Sequence, residues 1–222
     1  MQQNGTTHRN GIAANGAARI TSTETPVLNT QQALTDDEKI RLITFHFSRI
    51  METLGLDLAD DSLCETPARV AKMFVTEAFR GLNESNRPDI TLFENGYGYS
   101  EMLIERNITV YSYCEHHFVP IIGKAHVAYY AGSKVIGLSK INRIVQHYCK
   151  RPQVQERLTE DIAGALKEAL HVEDVAVVID AAHLCVASRG VGDVNSTTLT
   201  AHYGGRFRNE ETRKEFLSLL KG

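Results

Sequence analysis

A chain of 222 residues with 42% hydrophobic content is long enough to bury one substantial core. Its 24 basic and 27 acidic residues are mixed along the chain and leave a net charge of -3, which excludes a general nucleic-acid or membrane-surface binder. No apolar run approaches the roughly 20 residues of a membrane span, and the opening MQQNGTTHRN has no signal-peptide core, so a cytoplasmic protein is expected.

Residues 1–34 are rich in Asn, Gly, Thr, Gln and Ala without a hydrophobic period and are read as a flexible tail. Across 35–106 the signals are helical. Thr35 caps a helix whose first turn, Asp36, Asp37 and Glu38, suits the dipole, and Ile40, Ile43, Phe47, Ile50 and Leu54 mark its apolar face. Thr66 as N-cap and Pro67 at the first position open a second helix, with Val70, Met73 and Phe74 inward and Gly81 as its stop. From Asn107 the period changes to two, placing Ile108, Val110 and Ser112 on one face of a strand; a second strand, Lys124 to Tyr130, follows a turn at Gly123.

Helical spacing returns after Gly137, capped by Ser139, with Ile141, Ile144, Val145 and Tyr148 inward. Pro152 resets the chain before a helix through Val154, Leu158, Ile162, Ala165, Leu166 and Leu170. Two β-rich runs, Val175 to Ala182 and Ser196 to Tyr203, and a short helix from Asn209 complete it. The expected class is α+β, with a small, mostly antiparallel four-stranded sheet whose open edges invite pairing between copies.

Four irregularly spaced cysteines in so long a chain point to thiols rather than a disulfide scaffold. Cys114-Glu115-His116-His117 closes the first strand, and thiolate with imidazole suits zinc. In a straight strand Cys114 and His117 face opposite sides, so joint ligation needs a turn there, with His116 near the metal but aimed elsewhere. His183-Leu184-Cys185 closes the other apolar strand, and a period of two sends His183 and Cys185 to one face. Cys114, His117 and Cys185 then make a three-ligand set with an open fourth position, the pattern of a catalytic rather than a structural Zn2+ site. Cys64 and Cys149 are assigned to packing, and His46, His126, His147, His171 and His202 to surface or satisfied core positions.

Ser139, Lys140 and Arg143 crowd two cations into the first turns of a helix, against its dipole and beside free N–H groups. A polyphosphate explains that placement, and a solvated helix face is the plain alternative. Arg189, four residues after Cys185, brings another cation close to the metal in sequence. Gln155 and Glu156 open the next helix. The dipole accounts for a Glu there; the sharper reading is a carboxylate that accepts from the N1–H and amino group of guanine.

Together, Cys114-Glu115-His116-His117-Phe118, the run from Gly137 to Arg143, the run from Arg151 to Leu158, and His183-Leu184-Cys185 with Arg189-Gly190 resemble the signature segments of the GTP cyclohydrolase I family. Asp57 to Asp61 and Glu65 to Met73 add to the resemblance, which runs from about Asp36 to the C-terminus. It implies the tunnelling fold over 107–222, in which small sheets from neighbouring subunits join into a barrel, as a homodecamer of two pentamers with active sites between subunits. It implies Zn2+ on Cys114, His117 and Cys185, with His116 and His183 as the acid–base pair. Ser139, Lys140, Arg143 and Arg189 would hold ribose and triphosphate, and Gln155 with Glu156 the base.

The activity implied is hydrolytic opening of the guanine imidazole ring of GTP, giving formate and 7,8-dihydroneopterin triphosphate, the first step of tetrahydrofolate and pterin biosynthesis. Ala201-His202-Tyr203 is bulkier than the small hydroxyl-rich run expected of the family at that place. A non-catalytic, zinc-containing nucleotide-binding or regulatory oligomer of the same fold is the competing reading, against which His116 and His183 argue, since a structural role needs neither.

Overall fold

The computed structural model describes residues 25–27 and 34–221, so the tail expected over 1–34 lies almost wholly outside the described residues. Helix α1 (Asp36–Thr53) begins as its sequence dictates. The Thr35 hydroxyl accepts from the Glu38 N–H at 3.3 Å while Glu38 Oε2 accepts from the Thr35 N–H at 2.8 Å, a reciprocal cap that satisfies two otherwise unpaired donors. The apolar face of α1 is incompletely covered: Met51 is buried, but Ile50 (52%) and Leu54 (73%), just past the helix end, stand exposed.

Helix α2 (Thr66–Met73) differs from expectation at its start. Glu65 already has helical dihedrals and the Thr66 N–H bonds the Leu63 carbonyl at 3.0 Å, so Thr66 is the first helical residue and not the cap. Gly81 does not stop this helix either. The chain runs on through a π-helical turn (Phe74–Ala78) into a tight 3₁₀ turn (Arg80–Leu82), where Gly81 presses on the carbonyls of His147 and Lys150. A Cβ there would collide with both, which is a packing reason for glycine.

Strands β1 (Leu92–Glu94) and β4 (Lys134–Ile136) pair as a short antiparallel ribbon. The main sheet contains β2 (Met102–Cys114), β3 (Pro120–Tyr130), β5 (Pro152–Gln153), β6 (Val175–His183) and β7 (Thr198–Tyr203), in the order β5-β2-β3-β6-β7. The four long strands are antiparallel neighbours, and the short β5 lies parallel to the end of β2. Asn107 is not the first residue of its strand; it is a bulge with φ 58°, where the register slips between Glu105 and Ile108. Gly123 is not a turn. It sits inside β3 between Val110 and Ala181, and a Cβ there would strike the β6 backbone.

Helices α3 (Leu138–Cys149) and α4 (Gln155–Leu170) cover one face of the sheet. Ile141, Ile144, Val145, Leu158, Ile162 and Leu166 meet Ile108, Val110, Val127, Val177 and Ile179 in one buried core, each such side chain contributing about 1.5–3 kcal/mol. The N-cap of α3 is Gly137, with Ser139 inside the first turn. After a short helical turn, α5 (Leu184–Ala187), and β7, the terminal helix α6 (Glu210–Leu220) is capped by Asn209 and brings Phe216, with Phe207, onto Ala128, Ala176 and Val178 of the other face. Beyond them that face is bare: Tyr111, Ile122 and Leu199 are exposed. Among the described residues no helix is long and apolar enough to cross a membrane.

Candidate metal centre and active site

Strand β2 ends at Cys114, and the chain then reverses within a few residues into β3. The Phe118 N–H bonds the Cys114 carbonyl at 2.8 Å, the Cys114 N–H bonds the Val119 carbonyl at 2.8 Å, and Phe118 takes the left-handed conformation at φ 54°. An aromatic residue in that region is strained and persists only where its surroundings over-determine it. Here Phe118 is gripped by Phe79, with ring centroids 4.9 Å apart, and by Phe74 at 6.1 Å. The turn that joint ligation by Cys114 and His117 requires is therefore present.

Cys185 arrives by a different route from the one its spacing suggested. Strand β6 stops at His183, and Cys185 lies on the helical turn α5, closed by the Ser188 N–H and hydroxyl on the Leu184 carbonyl at 2.8 and 2.6 Å. His183 and Cys185 are thus not neighbours on one strand face. The result is nonetheless a group of three: ligand atoms of Cys114, His117 and Cys185 all lie within 4.8 Å of one another. The donor chemistry fits a soft or borderline divalent cation. Burial, followed by the adjacent Cys114 thiol, pushes the Cys185 thiol up, and a metal is what stabilises two thiolates side by side.

Two histidines flank the group. His116 Nδ1 lies 3.7 Å from Cys114 Sγ while the rest of its ring is exposed. His183 Nε2 is 2.7 Å from Gln155 Oε1. The Gln155 amide nitrogen donates to the Ile179 and Thr198 carbonyls at 3.0 and 2.8 Å and to Thr200 Oγ1 at 3.1 Å, so its oxygen faces His183 and the His183 proton is on Nε2. Burial holds His183 below the usual histidine value, opposed by a smaller effect of the Glu156 carboxylate, and the ring is neutral near pH 7.

Gln155 is only 1% exposed and its side-chain amide is committed inside the chain, where its oxygen fixes the orientation of the His183 ring. Glu156, next to it, is exposed and makes no hydrogen bond or ion pair among the described residues.

The cations expected to hold an anion fall into two places. Arg189 is at the metal group, donating from Nη1 to His117 Nε2 at 3.0 Å. Ser139, Lys140 and Arg143 are elsewhere. Asn142 Nδ2 donates to Glu105 Oε1 at 3.2 Å, Gln146 Nε2 to the Thr109 carbonyl at 2.6 Å, and Pro152 pairs with Tyr113, so α3 runs beside β2 in the same direction. The strand from Glu105 to Cys114 covers roughly 30 Å at about 3.3 Å per residue. The first turn of α3 therefore lies at the far end of β2 from the metal group, and one chain does not bring the two sets together over a small ligand.

Residues that the sequence did not announce hold the metal turn. Arg157 Nη1 meets Glu115 Oε2 at 2.7 Å, with the two side chains only 10% and 16% exposed, and the Glu115 N–H bonds the Gln153 carbonyl at 3.0 Å. Both members lie in the segments singled out above, but a separation of 42 residues gives no local sign of pairing. Of the residues assigned to packing, Cys149 is fully buried, its thiol pushed up to about 12 by burial, whereas Cys64 is exposed. His147 is buried, His126 and His202 are half-buried, and His46 and His171 lie at the surface.

Comparison with known proteins gives one consistent result. The GTP cyclohydrolase I family profile matches residues 43–221. A GTP cyclohydrolase 1 from Flavobacterium johnsoniae is 58% identical over 188 residues, covering 85% of this chain and 84% of that protein. Relatives of the same name from Aeromonas salmonicida and Aeromonas hydrophila are 54% and 51% identical, covering 90% and 96% of this chain and 91% and 97% of theirs. With the metal-binding geometry and its two flanking histidines on the same stretch of chain, the protein belongs to the GTP cyclohydrolase I family.

Proposed function

We propose that the chain is a Zn2+-dependent GTP cyclohydrolase I, opening the guanine imidazole ring of GTP, releasing formate and forming 7,8-dihydroneopterin triphosphate, at the entry to tetrahydrofolate and pterin biosynthesis. The observation that carries this is the convergence of Cys114, His117 and Cys185, flanked by His116 and His183, in a chain of this family. Cys114, His117 and Cys185 would hold the metal, and thiolate with imidazole favours zinc. When bound, the metal supplies Lewis-acid activation of water for the hydrolysis.

The protein's own groups do the rest. His116 and His183 exchange protons with the imidazole ring: protonation at N7 makes C8 electrophilic, and the same groups return protons as the ring opens and C8 leaves as formate. Gln155 keeps His183 in one tautomer for this. Glu156 accepts from the N1–H and amino group of guanine, a pairing adenine does not offer. Ser139, Lys140 and Arg143 of a neighbouring copy, with Arg189, hold ribose and triphosphate. The product keeps its triphosphate, so these cations anchor and do not transfer phosphoryl groups.

The same reading divides the chain into a tail over 1–34, an N-terminal helical region over 35–106 and a catalytic tunnelling-fold domain over 107–222, with β2 starting just before that last boundary. Sheets of neighbouring subunits would join into a barrel in a cytoplasmic homodecamer of two pentamers. The bare face of α1 and the division of the anion-binding residues from the metal group support an assembly with shared sites. The test is to incubate purified protein with GTP, with and without a zinc chelator, and assay formate and the fluorescent oxidised pterin together. Both products are expected, lost with chelator and restored by zinc; neither product from zinc-loaded, assembled protein would refute the reading.

A further inference from the structure

A cleft of about 350 Å³ opens beside the middle of α3, lined by Arg80, Asn86, Pro88, Arg143, Gln146 and His147. Two guanidinium groups share it, no carboxylate lines it, and neither Arg80 nor Arg143 has an ion pair among the described residues. Like charges gathered in a concave site repel, and an anion relieves that repulsion. Arg80 is also held where it is. Its turn is fixed by the Gly81 N–H on the Lys150 carbonyl at 2.8 Å and by Asn86 Nδ2 on the Arg80 carbonyl at 2.9 Å.

The floor of the cleft is fixed too. His147 is 6% exposed and accepts from Arg151 Nη2 on its Nε2 at 2.9 Å, and burial followed by Arg151 holds it below the usual histidine value. It is a neutral, fully engaged post that adds no competing charge. Arg143 lies one helical turn before His147, on the same side of α3, and Gly81 seats the Arg80 turn on the carbonyl of His147 itself. The two arginines are thus brought to one cleft by rigid backbone packing.

We infer that Arg80 and Arg143 together form a subsite for the terminal phosphates of a polyphosphate, with Arg80 an anchoring residue supplied from outside the α3 segment. In the reaction this rests on the reading of Arg143 as a triphosphate anchor; as an anion site it stands on the cleft alone. Paired guanidinium forks suit a terminal phosphate, which offers several oxygens and close to two charges.

The experiment uses the assembled, zinc-loaded protein and inorganic tripolyphosphate as the probe, titrated calorimetrically into wild type, R80A, R80K and R143A, with steady-state kinetics on GTP in parallel. R80A is expected to weaken tripolyphosphate binding on the order of tenfold and to raise the KM for GTP similarly with kcat within about twofold, as for loss of one charge-assisted pair. R80K, which keeps the charge but not the fork, is expected to recover part of the affinity. Tripolyphosphate binding in R80A equal to wild type, or R80K no better than R80A, would overturn the subsite. Wild-type protein that makes no pterin from GTP but binds tripolyphosphate through Arg80 would refute the cyclohydrolase reading and leave the anion site standing.

Discussion

The metal turn and the first turn of α3 are both rich in reactive residues, but they are built differently. Around Cys114 to Phe118 everything needed is internal: ligand atoms converge, an ion pair with Arg157 braces the turn, and aromatic rings hold Phe118 in its strained conformation. At Ser139, Lys140 and Arg143 the chain offers groups that face no partner of their own near the metal. On the proposed reading, one copy completes the chemistry of the metal while the hold on the substrate is divided among copies, so the two regions should fail in different ways.

Removing a ligand tests the self-contained half most severely. C114S is expected to lose bound zinc and at least about 10³-fold in formate release, the scale of losing a principal charge-stabilising group; metal analysis and the formate assay on the same sample check it. Next in size is the brace. R157M strands a carboxylate in a nearly buried place and is expected to cost about 3 kcal/mol, seen as a lower denaturant midpoint at constant slope, with zinc affinity about 10–100-fold weaker. Q155L should leave zinc content intact but lower kcat about tenfold with little change in KM, because His183 loses the acceptor that sets its tautomer.

The divided half is tested by mixing. C185S and R143A chains, each crippled alone, are expected to recover activity at low GTP in about a quarter of randomly assembled sites, since one copy supplies the metal and its neighbour the cation; no recovery on mixing would mean that each chain holds a whole site.

The smallest effect concerns stability at the seam between α3 and the Arg80 turn. His147 titrates below its ordinary value of 6.5 in the folded protein, so on acidification the unfolded chain takes up the proton first. Stability should be unaffected above about pH 6.5 and fall as pH drops from there towards the folded value. H147Q is expected to flatten that slope in melting curves, by less than about 1 kcal/mol.

Much of this was legible in the sequence, and what was not has a common physical cause. Stripes are local: the inward residues of α3 and α4 could be read directly and are found where expected, as is the Thr35 cap, whereas Thr66 and Ser139, read as caps, sit inside their helices. The grouping of Cys114, His117 and Cys185 was legible because few residue types suit a soft or borderline divalent cation, even though the backbone route to Cys185 was not. Glycine misled twice, at Gly81 and Gly123, because a missing Cβ serves a turn and a close approach equally well and only the neighbouring chain decides. Asn107 looked like a boundary because a bulge breaks the period as an end does. Glu115 with Arg157, and Gln155 with His183, are meetings between distant segments, and one-dimensional spacing carries no sign of them.

The uncovered stripe of α1 turns protein concentration into a thermodynamic variable. Ile50 and Leu54 in water favour any arrangement that hides them, so association and folding draw on the same free energy, and the melting temperature should rise with protomer concentration. If the substrate site is shared between copies as proposed, dilution removes activity before it unfolds the chain. Specific activity measured across a dilution series then reports the dissociation constant of the assembly, with the enzyme serving as its own sensor of mass action.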